Sequence, residues 1–253
     1  MPATDRYKQA KIDFDTHGYA VVRGFFNTQQ MQELLAEYDR YVAEVLDTVG
    51  PMDVFFEEKD KPQTLQRISN LNRYDDYFKQ LLHSDRWSNL AALLLDDIVT
   101  PQGVGMFNKP PVIGKPTPPH QDGYYWMLEP CVGLSYWMAL DPVDQSNGCL
   151  RFVPGSHDGP YRSHKRGTTF GFSQEITDFG DADRAIEEAV ELQPGDLVVH
   201  HGKTIHRADA NTSERMRRGL VTVFWGSRAK EDTARKAAYH KQLQEELAAD
   251  GKI

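Results

Sequence analysis

The chain has 253 residues, of which 40% are hydrophobic and 26% charged, and its formal net charge is −8 at pH 7. This length is enough for one domain with a large buried core. The acidic balance argues against a nucleic-acid partner, because phosphate contacts need a basic surface. No apolar run approaches the length that predicts a membrane span.

Two further features indicate the compartment. The N-terminal residues lack the apolar stretch of a signal peptide. Cys131 and Cys149 are too few for a disulfide framework. We therefore expect a reducing, cytoplasmic location, a small-molecule substrate and no membrane partner. The sequence does not indicate whether the chain acts as a monomer or a homo-oligomer.

We expect a single domain over residues 1–253, beginning with a helix-rich part over residues 1–100. Asn27 and Thr28 can cap a helix, because apolar residues recur behind them at helical spacing. These residues are Met31, Leu34, Leu35, Tyr38, Val42, Val45 and Leu46. A second helix is predicted by Trp87, Leu90, Leu93, Leu94 and Leu95.

Residues 101–227 carry strand signals and predict the β core. The segment 110–119 holds five prolines and predicts a loop leading into the next strand. Residues 156–190 are polar and glycine-rich, with a short helix predicted near 183–190. Long excursions of this kind often serve as lids or binding segments. A charged helix is predicted over 228–247, within a C-terminal part spanning 228–253.

The segment His120-Gln121-Asp122 carries the most informative chemistry. Alternate side chains of a strand point to one face, so His120 and Asp122 can reach one metal ion while Gln121 turns away. A His-X-Asp triplet alone is weak, because it occurs by chance in many proteins. Two imidazoles and one carboxylate form the facial triad that holds non-haem Fe(II) with open positions. The metal interpretation therefore requires a second histidine.

His206 is the candidate for that histidine, because it follows a predicted strand and a short turn. Arg217 comes eleven residues later and begins a segment, 217–225, that predicts a strand rich in β-branched and aromatic residues. A guanidinium on such a strand can hold a carboxylate with two parallel hydrogen bonds. An iron site with a carboxylate clamp is what a 2-oxoglutarate-dependent oxygenase requires.

Several segments spread over most of the chain occur in an order typical of one enzyme family. They are residues 14–26, Asn108-Lys109-Pro110-Pro111, His120-Gln121-Asp122-Gly123, residues 137–141, residues 147–150, residues 153–157, Pro194-Gly195-Asp196, and the run from His206 through Asn211 to Arg217. In these segments the chain resembles the phytanoyl-CoA dioxygenase family of Fe(II)- and 2-oxoglutarate-dependent oxygenases. Residues 14–26 are similar to the opening strand of that family. The joint occurrence is specific to the family but does not identify the substrate.

The resemblance implies both a fold and a chemistry. The fold is mostly β with flanking helices, a double-stranded β-helix (a jelly-roll, cupin-like barrel) with helices packed on one sheet. The implied enzyme holds Fe(II) with His120, Asp122 and His206, and the remote carboxylate of 2-oxoglutarate with Arg217. It consumes O2, releases succinate and CO2, and hydroxylates a C–H bond. Asp122 favours hydroxylation, because related halogenases carry a small residue in its place.

Other residues are expected to bind the co-substrate. Met106 and Asn108 share a strand face that we expect to lead towards the site, and the family has co-substrate contacts in this region. Trp137 matches a family tryptophan beside the co-substrate, and Ser135 shares its face by alternation. Trp137 can equally be ordinary core. The resemblance implies Arg217 as the clamp rather than its neighbours Arg215 and Arg218, because the family places this arginine eleven residues after the second histidine.

The substrate side is less specific. Tyr124, Tyr125 and Trp126 follow Asp122 directly, so we expect at least one to line the pocket and at least one to pack between the sheets. Lys109 is a candidate for binding an anionic head group. The other candidates are Lys115, Arg162, Lys165 and Arg166, although a solvated loop charge is the simpler interpretation of each. The expected substrate is a small polar or anionic metabolite: an acid, an amino acid derivative, a phosphonate or a secondary metabolite.

Alternatives remain at this point. His200 and His201 are adjacent and face opposite ways, so at most one looks into the barrel. A role in supporting the metal ligands is open to one of them, but core or surface placement is favoured. A non-catalytic or sensory cupin-type metal-binding protein can also use two histidines and an acid, but it has no need of Arg217. An oxygenase of the same family that performs desaturation, epimerisation or ring closure shares every residue named.

Overall fold

The chain forms two β-sheets that face each other, with helices covering the larger sheet. The computed structural model describes residues 3–58, 61–166 and 174–249. In chain order, the helices and strands are α1 (Ala3–His17), β1 (Tyr19–Val22), α2 (Thr28–Glu44), β2 (Val54–Phe56), β3 (Leu65–Ile68), α3 (Leu71–Tyr74), α4 (Asp76–Leu82), α5 (Asp85–Leu95), β4 (Val99–Lys109), β5 (Thr117–His120), α6 (Asp122–Trp126), β6 (Gly133–Ala139), β7 (Leu150–Phe152), β8 (His164–Arg166), β9 (Gln174–Ile176), α7 (Asp181–Ile186), β10 (Glu188–Val190), β11 (Leu197–His201), β12 (His206–Ala208), β13 (Arg217–Gly226) and α8 (Thr233–Ala249).

Seven strands form the large sheet, in the order β1-β11-β6-β13-β4-β3-β2, and four form the small sheet, in the order β10-β7-β12-β5. Strands β8 and β9 pair separately. Two antiparallel sheets of this kind are the layers of a jelly roll. The predicted fold class, mostly β with flanking helices, is therefore confirmed. Within the described residues the two sheets are separate and do not close into one hydrogen-bonded barrel.

The large sheet is apolar on both faces. On its inner face, Trp137 and Val198 pack with Phe152 of the small sheet. On its outer face, Tyr136 packs against Trp87 of α5, with ring centroids 5.4 Å apart. Side chains alternate along a strand, so alternation decides which residues of the large sheet can reach the space between the sheets.

The two predicted N-terminal helices are confirmed. Helix α2 begins with a capping box, in which the Asn27 side chain accepts from the Gln30 backbone N–H and the Gln30 side chain accepts from that of Asn27. It ends at Glu44, so the apolar residues Val45 and Leu46 lie beyond it. Helix α5 corresponds to the second prediction. The C-terminal helix is also present, as α8.

Several boundaries differ from the prediction. Strand β1 lies within the segment expected to be the opening strand, whereas β2 and β3 come from the part expected to be helix-rich. All three join the large sheet. Residues 14–17, expected in the opening strand, end α1. Strand β5 lies at the end of the predicted proline loop and continues to His120. It tolerates Pro118 and Pro119 because it is an edge strand of the small sheet.

The segment 156–190 also contains more structure than an open excursion. It includes the β8–β9 pair, and the helix expected near 183–190 is α7 followed by strand β10. Residues 167–173 lie outside the described part of the chain. None of the helices in the described ranges combines the length and the apolar character needed to cross a bilayer.

Candidate active site

His120 and Asp122 lie where the edge strand β5 turns into a short helix. His120 is the last residue of β5 and Asp122 the first residue of α6. The expectation that both belong to one strand is therefore wrong, because the chain becomes helical after Gln121. The two side chains nevertheless face one point, and His120 Nε2 lies 3.4 Å from Asp122 Oδ1.

His206 reaches the same point from the neighbouring strand. It is the first residue of β12 and pairs directly with His120. The two imidazole centroids are 4.2 Å apart, and His206 Nε2 lies 3.8 Å from Asp122 Oδ1. One ligand atom from each of the three residues lies within 4.8 Å of the others. The structure thus brings together the three side chains named from the sequence.

The remaining ring nitrogens of both histidines are held by the backbone. His120 Nδ1 lies 2.8 Å from the carbonyl oxygen of Pro118, and His206 Nδ1 lies 3.0 Å from that of Thr204. A carbonyl oxygen can only accept, so each Nδ1 carries the proton and each Nε2 presents its lone pair. Metal-binding histidines are oriented in this way.

The charges at this point suit a divalent cation. Burial, together with the imidazoles of His120 and His200, lowers the pKa of His206 well below 6.5, so the ring stays neutral. Burial by itself raises the pKa of Asp122, but the imidazoles of His206, His120 and His200 outweigh it. The net pKa of Asp122 lies well below 3.8. The result is an anionic oxygen donor from Asp122 beside the neutral nitrogen donor of His206.

Gln121 turns away from the other two residues of the motif, as expected. It is fully buried. Its Nε2 donates to the carbonyl oxygen of Lys203 at 2.8 Å, and its Oε1 accepts from the Arg162 backbone N–H at 2.9 Å. The amide therefore ties the strand–helix junction to the segment before His206 and to the segment before β8.

The second carboxylate oxygen of Asp122 has two partners of its own. Ser135 Oγ donates to Oδ2 at 2.5 Å, and His200 Nε2 lies 3.0 Å from the same oxygen. Ser135 was expected to bind the co-substrate, but in the structure its hydroxyl donates a hydrogen bond to Asp122. His200 was expected in the core or at the surface. It pairs with Ser135 across β11 and β6, a register that the sequence alone does not reveal.

Arg217 begins β13 on the inner face of the large sheet. It is only 3% exposed, and its guanidinium carbon lies 5.0 Å from the centre of the Trp137 ring. Within the described ranges, no group accepts a hydrogen bond from its buried Nε. Burial lowers the pKa of Arg217 to about 10. A buried guanidinium with an unused donor is suited to an anionic oxygen.

The two neighbouring arginines are already paired. Arg218 faces the helical side, where it binds Asp141 with Nη2 2.8 Å from Oδ1. Arg215 donates to Asp144 Oδ2 at 2.5 Å. Among the three candidates, Arg217 is therefore the one whose donor points to a buried space without a carboxylate of its own.

Arg217 borders a cavity with several basic side chains, including Lys109 and Arg67. Lys109 was expected in a loop, but it ends β4 opposite Arg217, is 3% exposed and donates to the carbonyl oxygen of Lys115. Burial and the charge of Arg217 lower the pKa of Lys109 well below 10.5. Sequence reasoning missed Arg67, because strand β3, which carries it, was not predicted.

The expectation that Met106 faces the site is wrong, and Asn108 meets it only in part. Met106 is fully buried in the core between the large sheet and the helices. Asn108 borders the cavity, but its Nδ2 donates to Tyr38 Oη of α2 on the helical side. Alternation places Phe107 and Lys109 on the inner face instead.

The three aromatic residues after Asp122 have separate positions. Tyr125 packs its ring against His120, with centroids 5.8 Å apart, and its hydroxyl donates to the carbonyl oxygen of Gln174 at 2.8 Å. Tyr124 stacks on His164 of β8 at 4.0 Å. Trp126 packs against Trp225 of the large sheet. Tyr125 is thus the member of the three in contact with a histidine of the triad.

Gly219 leaves the space that the Trp137 indole occupies. A Cβ atom at position 219 would lie 2.1 Å from Trp137 Cζ2. We expect Gly219→Ala to displace the indole from Arg217, to cost about 1–3 kcal/mol of stability through overpacking, and to weaken 2-oxoglutarate binding. Calorimetric titration and thermal unfolding measure both effects. Gly103→Ala on β4 is the control, because its Cβ would meet nothing closer than 3.4 Å. Unchanged 2-oxoglutarate affinity in Gly219→Ala would contradict the role given to Trp137.

Comparisons with known proteins agree with this geometry. Residues 14–219 match the profile of the family described as phytanoyl-CoA dioxygenase (PhyH). The chain belongs to the phytanoyl-CoA dioxygenase family. It is 34% identical over 165 residues to phytanoyl-CoA dioxygenase domain-containing protein 1 of Danio rerio, an alignment covering 62% of this chain and 56% of that protein.

Two further relatives of this phytanoyl-CoA dioxygenase family member are informative. It is 26% identical over 228 residues to a probable alpha-ketoglutarate-dependent hypophosphite dioxygenase of Stutzerimonas stutzeri, covering 86% of this chain and 78% of that one. EvdO2 from Micromonospora carbonacea var. aurantiaca, solved in complex with 2-oxoglutarate, superposes with a TM-score of 0.69 and 25% identity, covering 88% and 91%. The family, the fold and the His-Asp-His cluster identify this chain as a dioxygenase that depends on iron and 2-oxoglutarate.

The residues present in this family member fit both groups. The triad offers two Nε2 lone pairs and one carboxylate oxygen at a single point, which is the donor set of non-haem Fe(II) sites. The Nε of Arg217, which has no acceptor in the described part of the chain, lies at a basic cavity that suits a carboxylate. Each group therefore has a site whose chemistry matches it.

Proposed function

We propose that this enzyme hydroxylates a C–H bond of a small, polar or anionic metabolite and releases succinate and CO2. The observation that carries the proposal is the convergence of His120, Asp122 and His206, together with the buried guanidinium of Arg217, whose Nε has no acceptor among the described residues. When bound, Fe(II), 2-oxoglutarate and O2 supply the oxidising chemistry, and the protein supplies binding and orientation.

In this proposal the protein side chains have distinct tasks. His120, Asp122 and His206 hold the metal. Arg217 binds the remote carboxylate of 2-oxoglutarate, and the indole of Trp137 packs along the guanidinium and fixes its direction. A buried, bidentate pair of this kind sets the register of the co-substrate as well as its affinity.

Tyr125 is positioned to shield this site. Its ring covers the edge of His120, and its hydroxyl holds the backbone of Gln174 in β9. The β8–β9 pair is thereby fixed beside the triad. We infer that Tyr125 helps to exclude water from the substrate pocket, a task that requires neither proton transfer nor metal contact.

The charges around the cavity support a small anionic substrate. Arg67, Lys109, Lys115 and Arg217 border the same cavity as the single carboxylate of Glu57. When one carboxylate of the co-substrate is bound, further cationic side chains remain at this cavity. The relative from Stutzerimonas stutzeri is named for hypophosphite, a small anion, and this name also supports an anionic substrate. The outer loop cations contribute less, because Arg162 pairs with Asp178 and Asp183, and Lys165 with Glu175.

Two alternatives are weaker. A sensory or structural metal-binding protein gains nothing from a buried guanidinium whose Nε lacks an acceptor among the described residues, so Arg217 argues against it. Desaturation, epimerisation and ring closure use the same residues as hydroxylation and differ in the product.

Ferrous iron suits a reducing compartment, so we infer a cytoplasmic location.

Substrate-stimulated succinate release tests the proposal. The protein, loaded anaerobically with Fe(II) and 2-oxoglutarate, is mixed with O2 and a panel of small acids, amino acid derivatives and phosphonates. We expect one class to accelerate succinate formation and to yield a product carrying one oxygen atom from ¹⁸O2. A product that lacks ¹⁸O and has lost two hydrogens would contradict hydroxylation in favour of desaturation. Stimulation by neutral apolar compounds alone would contradict the anionic class.

A further inference from the structure

The two oxygens of the Asp122 carboxylate face different partners. Oδ1 faces the two histidines of the triad, with His120 Nε2 at 3.4 Å and His206 Nε2 at 3.8 Å. Oδ2 faces the large sheet, where Ser135 Oγ and His200 Nε2 approach it at 2.5 Å and 3.0 Å. The carboxylate is therefore divided between a metal-facing oxygen and an oxygen held by the protein.

His200 differs from the two histidines of the triad in its proton arrangement. In His120 and His206 a backbone carbonyl binds Nδ1, which leaves the Nε2 lone pair for a metal. In His200, Nδ1 is buried and has no partner in the described part of the chain, while Nε2 faces an ionised carboxylate. A carboxylate oxygen only accepts, so Nε2 of His200 carries the proton and donates it.

The surroundings of His200 keep this donor in place. The residue is 3% exposed, and its ring lies against Phe152 and His206, with centroids 5.3 Å and 4.2 Å away. Its strand neighbour Ser135 lies directly opposite in β6. The two donors to Oδ2 therefore come from adjacent, fully paired strands, which gives the carboxylate little freedom to rotate.

We propose that His200, assisted by Ser135, is a positioning residue that restricts Asp122 to binding the metal through Oδ1 alone. The inference rests on the proposed function, because it assumes that Asp122 is a metal ligand. Two charge-assisted hydrogen bonds hold Oδ2 on the protein side. A carboxylate that offers one oxygen leaves more positions of the metal open for co-substrate and O2 than one that offers both.

The test compares metal binding by folded variants, without turnover. Co(II) is titrated anaerobically into the full chain, and the carboxylate stretching bands are recorded by infrared spectroscopy with ¹³C-labelled aspartate. We expect His200→Phe and Ser135→Ala to bind Co(II) about 10–100-fold more weakly, as is usual when a partner of a metal ligand is lost. We also expect the separation between the antisymmetric and symmetric bands of Asp122 to shrink, as it does when both oxygens bind one metal.

Two further variants make the comparison specific. His200→Gln keeps an N–H donor at similar reach, so it should recover most of the affinity and the wild-type band separation. His201→Phe makes the same change one residue along the strand, on a ring that faces Phe14 and His157, and should leave Co(II) binding unchanged. If His200→Phe does not fold, His200→Gln and Ser135→Ala still carry the test.

Three results would overturn the inference. Wild-type Co(II) affinity and band separation in both His200→Phe and Ser135→Ala would show that Oδ2 needs no support. Equal weakening by His200→Phe and His200→Gln would show that the imidazole itself is needed, as a ligand. Failure of the proposed function has a separate signature, because wild type and Asp122→Ala would then bind Co(II) equally, and both proposals would fall.

Discussion

Asp122→Ala should abolish succinate formation and weaken Fe(II) binding by more than about 100-fold, beyond the usual cost of losing only a partner of a ligand. The change removes the carboxylate donor of the cluster and leaves only the two imidazoles. It also leaves Ser135 and His200 without their common acceptor. Anaerobic titration of Fe(II) and a coupled assay of succinate measure the two effects separately.

The matched control for this prediction is Asp158→Ala. Asp158 is a largely exposed residue, with 81% of its side chain accessible, outside the cluster. The control should keep wild-type iron affinity and succinate release. Turnover retained by Asp122→Ala would mean that other residues hold the metal. Loss of folding is checked by thermal unfolding of both variants.

Arg217→Ala should raise the Kd of 2-oxoglutarate by roughly 30-fold or more, because truncating one member of a buried, hydrogen-bonded charge pair costs about 2–5 kcal/mol. The remote carboxylate would then meet Lys109, Arg67 and Lys115 as the cationic groups that border the cavity. Arg217→Lys should recover little, since a single ammonium cannot form two parallel bonds. The intensity of the visible band that forms when 2-oxoglutarate binds the Fe(II) protein reports this affinity.

Arg218→Ala is the control for the clamp. Arg218 is the next residue of the same strand, but it faces the helices and binds Asp141. Its removal should change stability and leave 2-oxoglutarate affinity unchanged. Metal affinity should remain at the wild-type level in both variants, because neither side chain contacts the triad. Equal 2-oxoglutarate affinity in Arg217→Ala and wild type would show that the co-substrate binds elsewhere.

Short-range patterns predicted the residues of the cluster but not its local geometry. The triplet containing His120 and Asp122 was informative because spacing limits which side chains can share a metal. The sequence suggested one strand for both residues, whereas the structure has a helix beginning at Asp122. Five residues of helix give no periodic signal that a window of sequence can detect.

Features that depend on strand pairing were beyond the reach of the sequence. His200 meets Asp122 only because β11 pairs with β6 in the register that aligns His200 with Ser135. A shift of β11 by one residue would turn His200 to the helices and away from Asp122. The same dependence explains Met106 and Asn108, whose strand was predicted but whose inner face was assigned to the wrong set of alternate residues. It also explains Arg67, which comes from a strand of four residues.

The buried guanidinium at position 217 lowers stability while it serves function. Among the described residues no group accepts a hydrogen bond from its Nε, and a desolvated cation of this kind lowers the stability of the free protein. A laboratory evolution experiment that selects only for heat resistance would therefore favour an apolar residue at position 217. The survivors would keep both sheets and the three-residue cluster, yet they would have lost the anchoring group for the keto acid.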